Sequence, residues 1–386
     1  MYPQERMKLP EGAHLNPDAQ LRVAEQLMSP TDPRANVVGF GLGVKWTESE
    51  PTGDAAIVVL VRHKVPIEDL VERDRIPGEL EDLPTDVYAV GDVFALRQTA
   101  PGAMTGRAMD RESALLERYR DELAAAPAAP PSAPADAGPL VLTRRMRPCP
   151  AGFSIGNVSI TAGTLGSVVY DFLPGASTNP PTAGVGVPAR FYVLSNNHVL
   201  AASNGAPLGS PIVQPGTFDG GIDPQDRIAT LSRFIPIQFD PPVPRDQHRN
   251  LVDAAIGECS FQNASREIYF NGAPRAWVRK GGLRAGDKVR KTGRTTNLTL
   301  GRVIVTNATI DVNYGGGRTA RFLNQIVTSN MSAGGDSGSL VTDFCNNAVG
   351  LLFAGSTSVT IVNHYEDVRN LLRVELAERI ELQPCR

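Results

Sequence analysis

Gly334-Gly335-Asp336-Ser337-Gly338-Ser339-Leu340 is the stretch on which the reading of this chain turns. A nucleophilic serine needs a tight turn that exposes its hydroxyl and gathers backbone N–H groups on one spot. Glycine at position 335 lets the peptide take such a turn without a Cβ clash. In that reading the N–H groups of Gly335 and Ser337 form an oxyanion hole, where the loss of one donor costs about 3–4 kcal/mol. Taken alone, the heptapeptide also fits an ordinary Gly/Ser/Asp surface turn.

Two further stretches upstream change the balance. Tyr192-Val193-Leu194-Ser195-Asn196-Asn197-His198-Val199-Leu200 delivers a histidine from an apolar strand into a polar turn. A lone histidine at a strand end is ordinarily structural, and His14, His63, His248 and His364 are read as structural or surface. Leu251-Val252-Asp253-Ala254-Ala255-Ile256 places one carboxylate at the head of an apolar strand. A buried charge there is expensive unless paired, and a histidine ring N–H would pair it while fixing the tautomer. Each stretch has a bland alternative; their joint occurrence in the order His, Asp, Ser, spaced by 55 and 84 residues, does not.

The surroundings suit a β-rich domain. Twelve short strand-like runs separated by Gly, Pro and Asn turns lie between Ser154 and Val362, as in a sandwich or a pair of barrels. Upstream, Pro17–Met28 reads as a helix capped by Asn16, followed by strands at Val37–Trp46, Ala55–Val61 and Asp86–Val90. Residues 111–125 read as a helix, and Ala124–Pro139 as a Pro/Ala linker of about 40–50 Å. The expected organisation is a small α/β domain over 1–100, regulatory or structural, then a helix and linker over 101–140. A catalytic β domain over 141–365 and a C-terminal helix over 366–386 complete it.

The segment Cys149–His364 resembles the chymotrypsin-like (trypsin-like) serine peptidases, whose active site lies between two six-stranded barrels. Four phrases also resemble bacterial relatives of the plant narrow-leaf-type peptidases: Asn36-Val37-Val38-Gly39, Thr161-Ala162-Gly163-Thr164-Leu165-Gly166, Ser195–Leu200 and Lys291-Thr292-Gly293-Arg294-Thr295-Thr296. The resemblance implies a mainly β, double-barrel serine endopeptidase, with His198 as general base, Asp253 as its orienting partner and Ser337 as nucleophile. It implies a substrate-pairing strand in Val349–Gly355, with Phe353, Ala354 and Gly355 lining the groove. It puts the base of the specificity pocket at Met331, beside Ser332; with no aspartate there, an apolar or small side chain is favoured over Lys or Arg. The sequence departs from the usual Ala-Ala-His-Cys and Gly-Gly endings, and no Arg-Ile-Val-Gly-Gly activation site precedes the domain. A permanently formed or allosterically ordered site is therefore expected.

Charge is segregated although the net charge is only -3. Glu68–Asp92 holds nine acidic and two basic residues, whereas Arg275–Arg321 holds eleven basic and two acidic ones. One expectation is that the acidic N-terminal domain docks on the basic barrel and restricts the groove. The other is a basic surface that selects acidic proteins or nucleic acid, though no aromatic platform supports nucleic acid. The four cysteines form no CxxC pair and fit a reduced setting. No apolar stretch suggests a secretion signal or a membrane span, so a cytoplasmic protein is expected. No HExxH or Walker-type phosphate loop occurs, and no metal or cofactor is expected. The partner expected is a protein or peptide substrate; nothing in the sequence specifies an oligomeric state. A rival from another class is a non-catalytic binding module that keeps the fold; an esterase would use the same three residues.

Overall fold

The structure, a computed structural model, describes residues 6–29, 34, 36–48, 50–95, 142–171 and 190–376. The helix expected at 111–125 and the linker at 124–139 lie outside the described residues. Helix α1 (Pro17–Met28) forms as its sequence predicts: Asn16 Oδ1 accepts from Ala19 N at 2.8 Å, and Pro17 opens the first turn. It buries Val23, Leu27 and Met28 against Phe40, Ile57 and Val59. The N-terminal strands are β1 (Val37–Thr47), β2 (Glu50–Val61), β3 (Glu79–Leu80), β4 (Leu83–Ala89) and β5 (Phe94–Ala95).

Two larger sheets follow. The first half of the β domain supplies β6 (Cys149–Ala151), β7 (Ser154–Asn157), β8 (Gly163–Thr164), β9 (Ser167–Asp171), β10 (Phe191–Ser195), the short α2 (Asn197–Leu200), β11 (Pro211–Val213), β12 (Arg227–Phe234), β13 (Ala255–Cys259) and β14 (Ala264–Ile268). The second half supplies β15 (Ala276–Trp277), β16 (Lys288–Gly293), β17 (Asn297–Asn313), β18 (Thr319–Ser329), β19 (Leu340–Thr342), β20 (Asn347–Gly355), β21 (Val359–His364), α3 (Tyr365–Leu372) and β22 (Val374–Leu376). In the second half the order β16-β19-β20-β21-β18-β17 closes through a β16–β17 ladder into a ring of six. The first sheet runs β22-β9-β10-β13-β12-β11-β7-β8 around a core that includes Phe153, Val193, Leu194 and Ile256. The mainly β, two-barrel architecture is that of the chymotrypsin-like fold expected from the sequence, with an eight-stranded first sheet in place of six.

Both ends of the chain add strands, the C-terminal end to the first sheet and the N-terminal end to the second. The helix expected over 366–386 stops at Leu372, because Arg373 turns left-handed (φ 56°) and releases the chain into β22. Val374 and Leu376 then bury while Glu375 stays partly exposed, and the strand pairs with β9. This is the period-2 pattern of a half-buried strand, and it replaces the helix expected beyond Arg373. Residues 377–386 lie outside the described residues.

The N-terminal segment departs further from expectation. In place of a tethered domain facing a barrel across a linker, β1 joins β17 edge to edge, and β2, β4 and β3 extend the second barrel's sheet. Gly39, Gly41 and Gly43 make the approach possible. A Cβ on Gly39 would lie 2.5 Å from Thr309 O, and one on Gly41 would lie 2.4 Å from Val305 Cγ1. The union is a backbone ladder rather than the acid–base docking expected. The acidic residues Glu81 and Asp92 pair within their own segment, with Arg22 and Arg62, and Arg321 is taken by Asp311. Cys149 and Cys259 are free, but Cys345, in the turn between β19 and β20, is disulfide-bonded, which departs from the reduced cysteines expected.

Candidate active site

Strand β10 carries the chain into the buried turn Ser195-Asn196-Asn197, and α2 presents His198 at its first turn. Neighbouring β13 begins at Ala255, so Asp253 sits beside α2: Asn196 Nδ2 donates to Asp253 O at 2.6 Å. The histidine and aspartate meet twice. His198 Nδ1 lies 2.6 Å from Asp253 Oδ2, and His198 N donates to Asp253 Oδ1 at 3.0 Å. Tyr314 adds its hydroxyl to Oδ2 at 2.6 Å, and its ring meets that of His198 edge-on. Burial alone would push the Asp253 carboxyl up, but the histidine, the tyrosine and the backbone N–H outweigh it and hold the group below the ordinary carboxylate range. Asp253 is therefore a buried, ionised anchor for the ring. Its partner Tyr314 left no mark in the sequence beyond a lone tyrosine before the Gly315–Gly317 turn.

Ser337 lies on the loop between β18 and β19, and the loop's peptide planes are fixed one by one. Gly335 (φ 100°) and Gly338 (φ 95°) take conformations that favour glycine. The carbonyl of Gly334 accepts from Thr295 Oγ1 at 2.8 Å, and that of Asp336 from Ser339 N and Oγ at 3.0 and 2.6 Å. In a trans peptide the N–H points opposite the carbonyl, so the N–H groups of Gly335 and Ser337 are aimed away from these anchors. Thr164 holds the other two carbonyls, those of Gly335 (2.9 Å) and Ser337 (2.7 Å). Here the phrase Thr161–Gly166 finds its physical reason. A Cβ on Gly163 would lie 2.9 Å from Ser337 O, and one on Gly166 would lie 2.2 Å from Gly338 O.

Lys291 gives the second phrase its reason. Its ammonium and the Asp336 carboxylate are both fully buried, 3.2 Å apart, and Lys291 also donates to Thr296 Oγ1. Asp336 further accepts from Ala333 N, Thr295 N, Thr296 N and Thr296 Oγ1 at 2.6–3.2 Å. Burial lowers the Lys291 pKa, and Asp336 works against that shift. The aspartate next to the serine is thus paired with a cation from inside the barrel.

Ser337 Oγ donates to Phe353 O at 3.4 Å, while His198 Nε2 has no hydrogen-bond partner among the described residues. His198 lines a cleft of about 610 Å³ with Ile160, Thr161, Val199, Phe218 and Arg318. Phe353, Ala354 and Gly355 lie at the end of β20 beside Ser337. Met331 is buried in the barrel core among Leu283, Val289, Val303 and Leu352, with its backbone held by Thr360 and Thr299. Ser332, half-buried, shares a 2.7 Å hydrogen bond with Thr360 Oγ1.

No family model matches the chain. Over 98 residues it is 38% identical to Serine protease 2 of Streptomyces fradiae, a match covering 25% of this chain and 48% of that protein. The chain thus spans about half the length of the curated relative it matches. Among solved structures, Thermobifida fusca Protease A aligns over 58% of this chain and 96% of its own at 13% identity, with a TM-score of 0.39. The Nocardiopsis protease aligns over 60% and 98% at 15% identity, with a TM-score of 0.37.

Proposed function

We propose that the chain is a chymotrypsin-like serine endopeptidase that cleaves peptide bonds through an acyl-enzyme, with His198, Asp253 and Ser337 as its triad. The observation that carries the reading is the buried His198–Asp253 pair, joined at 2.6 Å, beside a serine loop whose carbonyls are all anchored. In this mechanism Ser337 Oγ leaves its 3.4 Å contact with Phe353 O and turns to His198 Nε2, the unpartnered ring nitrogen. The imidazole takes the hydroxyl proton as the oxygen attacks the scissile carbonyl, then returns it to the leaving amine. Asp253, kept ionised by its three donors, holds Nδ1–H and stabilises the imidazolium. The N–H groups of Gly335 and Ser337 receive the oxyanion. Water, activated by His198 in its turn, then releases the acid product.

A fluorophosphonate of small size tests this directly. One adduct at Ser337, abolished by Ser337→Ala and by His198→Ala, is expected by peptide mass spectrometry. Absence of any adduct in the folded wild-type chain would favour a binding module that retains the fold, a reading to which the unjoined Nε2 and Oγ give some footing. Relative turnover of matched peptide and ester substrates separates an endopeptidase from an esterase.

A further inference from the structure

We propose that β5 is a built-in occupant of the substrate groove, seated where the acyl side of a peptide substrate would pair, and that substrates enter by displacing it. This deepens the proposed function and rests on it for the identity of the groove.

The argument follows one edge of β20. On that edge Ala348–Leu351 are paired with β19. Leu352 comes next and exchanges hydrogen bonds with the serine loop: Gly338 N donates to its carbonyl at 2.8 Å, and its N–H donates to Ser339 O at 3.0 Å. The following carbonyl, that of Phe353, faces Ser337 Oγ. Immediately beyond it, Ala354 and Gly355 pair antiparallel with Ala95 and Phe94. The opposite edge belongs to β21, which pairs with Ala354 and Gly355 through Ile361 and Thr360. An extended peptide whose scissile carbonyl reached Ser337 would need these same backbone groups, because adding a strand to a sheet edge is the general way an extended segment is held. That edge is already filled, by this chain.

The seating is anchored. Val90, Val93 and Ala95 are buried in the same apolar cluster as Tyr314, Phe322, Phe353 and Ala354. Asn313 N donates to Val93 O at 2.9 Å, and Ser356 Oγ donates to Val90 O. Phe94 is turned out and exposed. The pairing with β20 is only two residues long, and on its other side β5 meets β17 through the single pair Phe94–Asn313, so a strand of this size is displaceable in a way that β1, with its glycine-fitted ladder, is not.

The test uses the full chain in a Ser337→Ala background, where nothing can be turned over. The probe is a fluorescein-labelled peptide with the sequence of residues 90–98, and its binding is read by anisotropy. Ala95→Glu places an unpaired carboxylate in the apolar cluster and should expel β5. Phe94→Pro, which lacks the N–H of a ladder residue, is the second variant; thermal melts select whichever is folded. A strand seated 90–99% of the time raises the apparent Kd about 10- to 100-fold, so folded variants should bind the peptide at least tenfold tighter than the parent. Equal affinity in parent and variants, or no binding to any of them, overturns the proposal. Failure of the catalytic reading looks different. Fluorophosphonate would then not label Ser337 in otherwise wild-type chains carrying Ala95→Glu or Phe94→Pro, whatever the peptide does.

Discussion

Replacing Lys291 by methionine removes the only charged partner of Asp336 among the described residues while keeping an unbranched side chain one atom shorter. Both groups are fully buried, and breaking such a pair by removing one member costs about 3–5 kcal/mol. Asp336 keeps four neutral donors, from Ala333, Thr295 and Thr296, so the lower end applies. The expected loss is about 3 kcal/mol, or a factor of ~10² in the unfolding equilibrium. Urea unfolding followed by intrinsic fluorescence measures it, provided the m-value is unchanged. The same loop carries Ser337, so fluorophosphonate labelling should slow in the folded fraction as well. A double-mutant cycle with Asp336→Ala isolates the pair, and a coupling energy of about 2 kcal/mol or more is expected for contacting buried charges. Coupling below about 0.5 kcal/mol with labelling at the parental rate would refute the reasoning. Asp336 would then be held by its backbone donors alone, and the buried lysine would be incidental.

Four other outcomes follow from the structure. Tyr314→Phe removes a hydrogen bond to an ionised carboxylate, worth about 1.5–3 kcal/mol; labelling should fall by about tenfold or more, and its acid limb should move to higher pH because Asp253 loses one of the contacts that keep it ionised. His364 is buried with its pKa pushed down to about 3 from 6.5; its folded value is depressed, so stability present above pH 6.5 is lost as pH falls towards 3. At pH 5 the loss is about 2 kcal/mol relative to pH 7.5, and thermal melts of His364→Leu should lack that part of the acid slope. Gly338→Ala should abolish folding or labelling, since its Cβ would lie 2.0 Å from Ser195 Oγ. Gly220→Ala, at a similar φ of 88° but with nothing within 4 Å, should cost only about 1 kcal/mol in the same urea assay.

What the sequence disclosed, and what it hid, divides by the range of the interaction. Local patterns announced α1, the strand ahead of His198 and the glycine turn around Ser337, because caps, alternation and positive-φ glycines are written within a few residues. The contact of His198 with Asp253 was inferable from the cost of burying a lone carboxylate and from the resemblance, not from any local pattern. Tyr314 was invisible, since its role depends on the fold of β17 and β18 returning it to Asp253. Thr164 and Lys291 stood in quoted phrases without a role, and acquired one when both proved to grip the serine loop. The β1–β17 union was hidden for the same reason, although the alternation Gly39-x-Gly41-x-Gly43 was a trace of it. Three glycines two apart on one face of a strand mark a backbone that another backbone approaches closely. Charge segregation misled because it described surfaces, whereas the two parts are joined by a ladder of peptide groups.

That ladder also sets a timetable. The partners of Gly39–Gly43 in β17 are made about 260–270 residues later on the growing chain. At ordinary synthesis rates of about 5–20 residues per second, β1 waits roughly 13–55 s before its neighbour exists. During that interval its outer edge offers unpaired N–H and C=O groups with glycines in place of the bulky side chains that would fend off another strand, the kind of edge on which chains misassemble. The feature that makes the finished sheet continuous therefore makes the nascent chain vulnerable, and yield in the cell should depend on how well that edge is chaperoned until the second barrel closes.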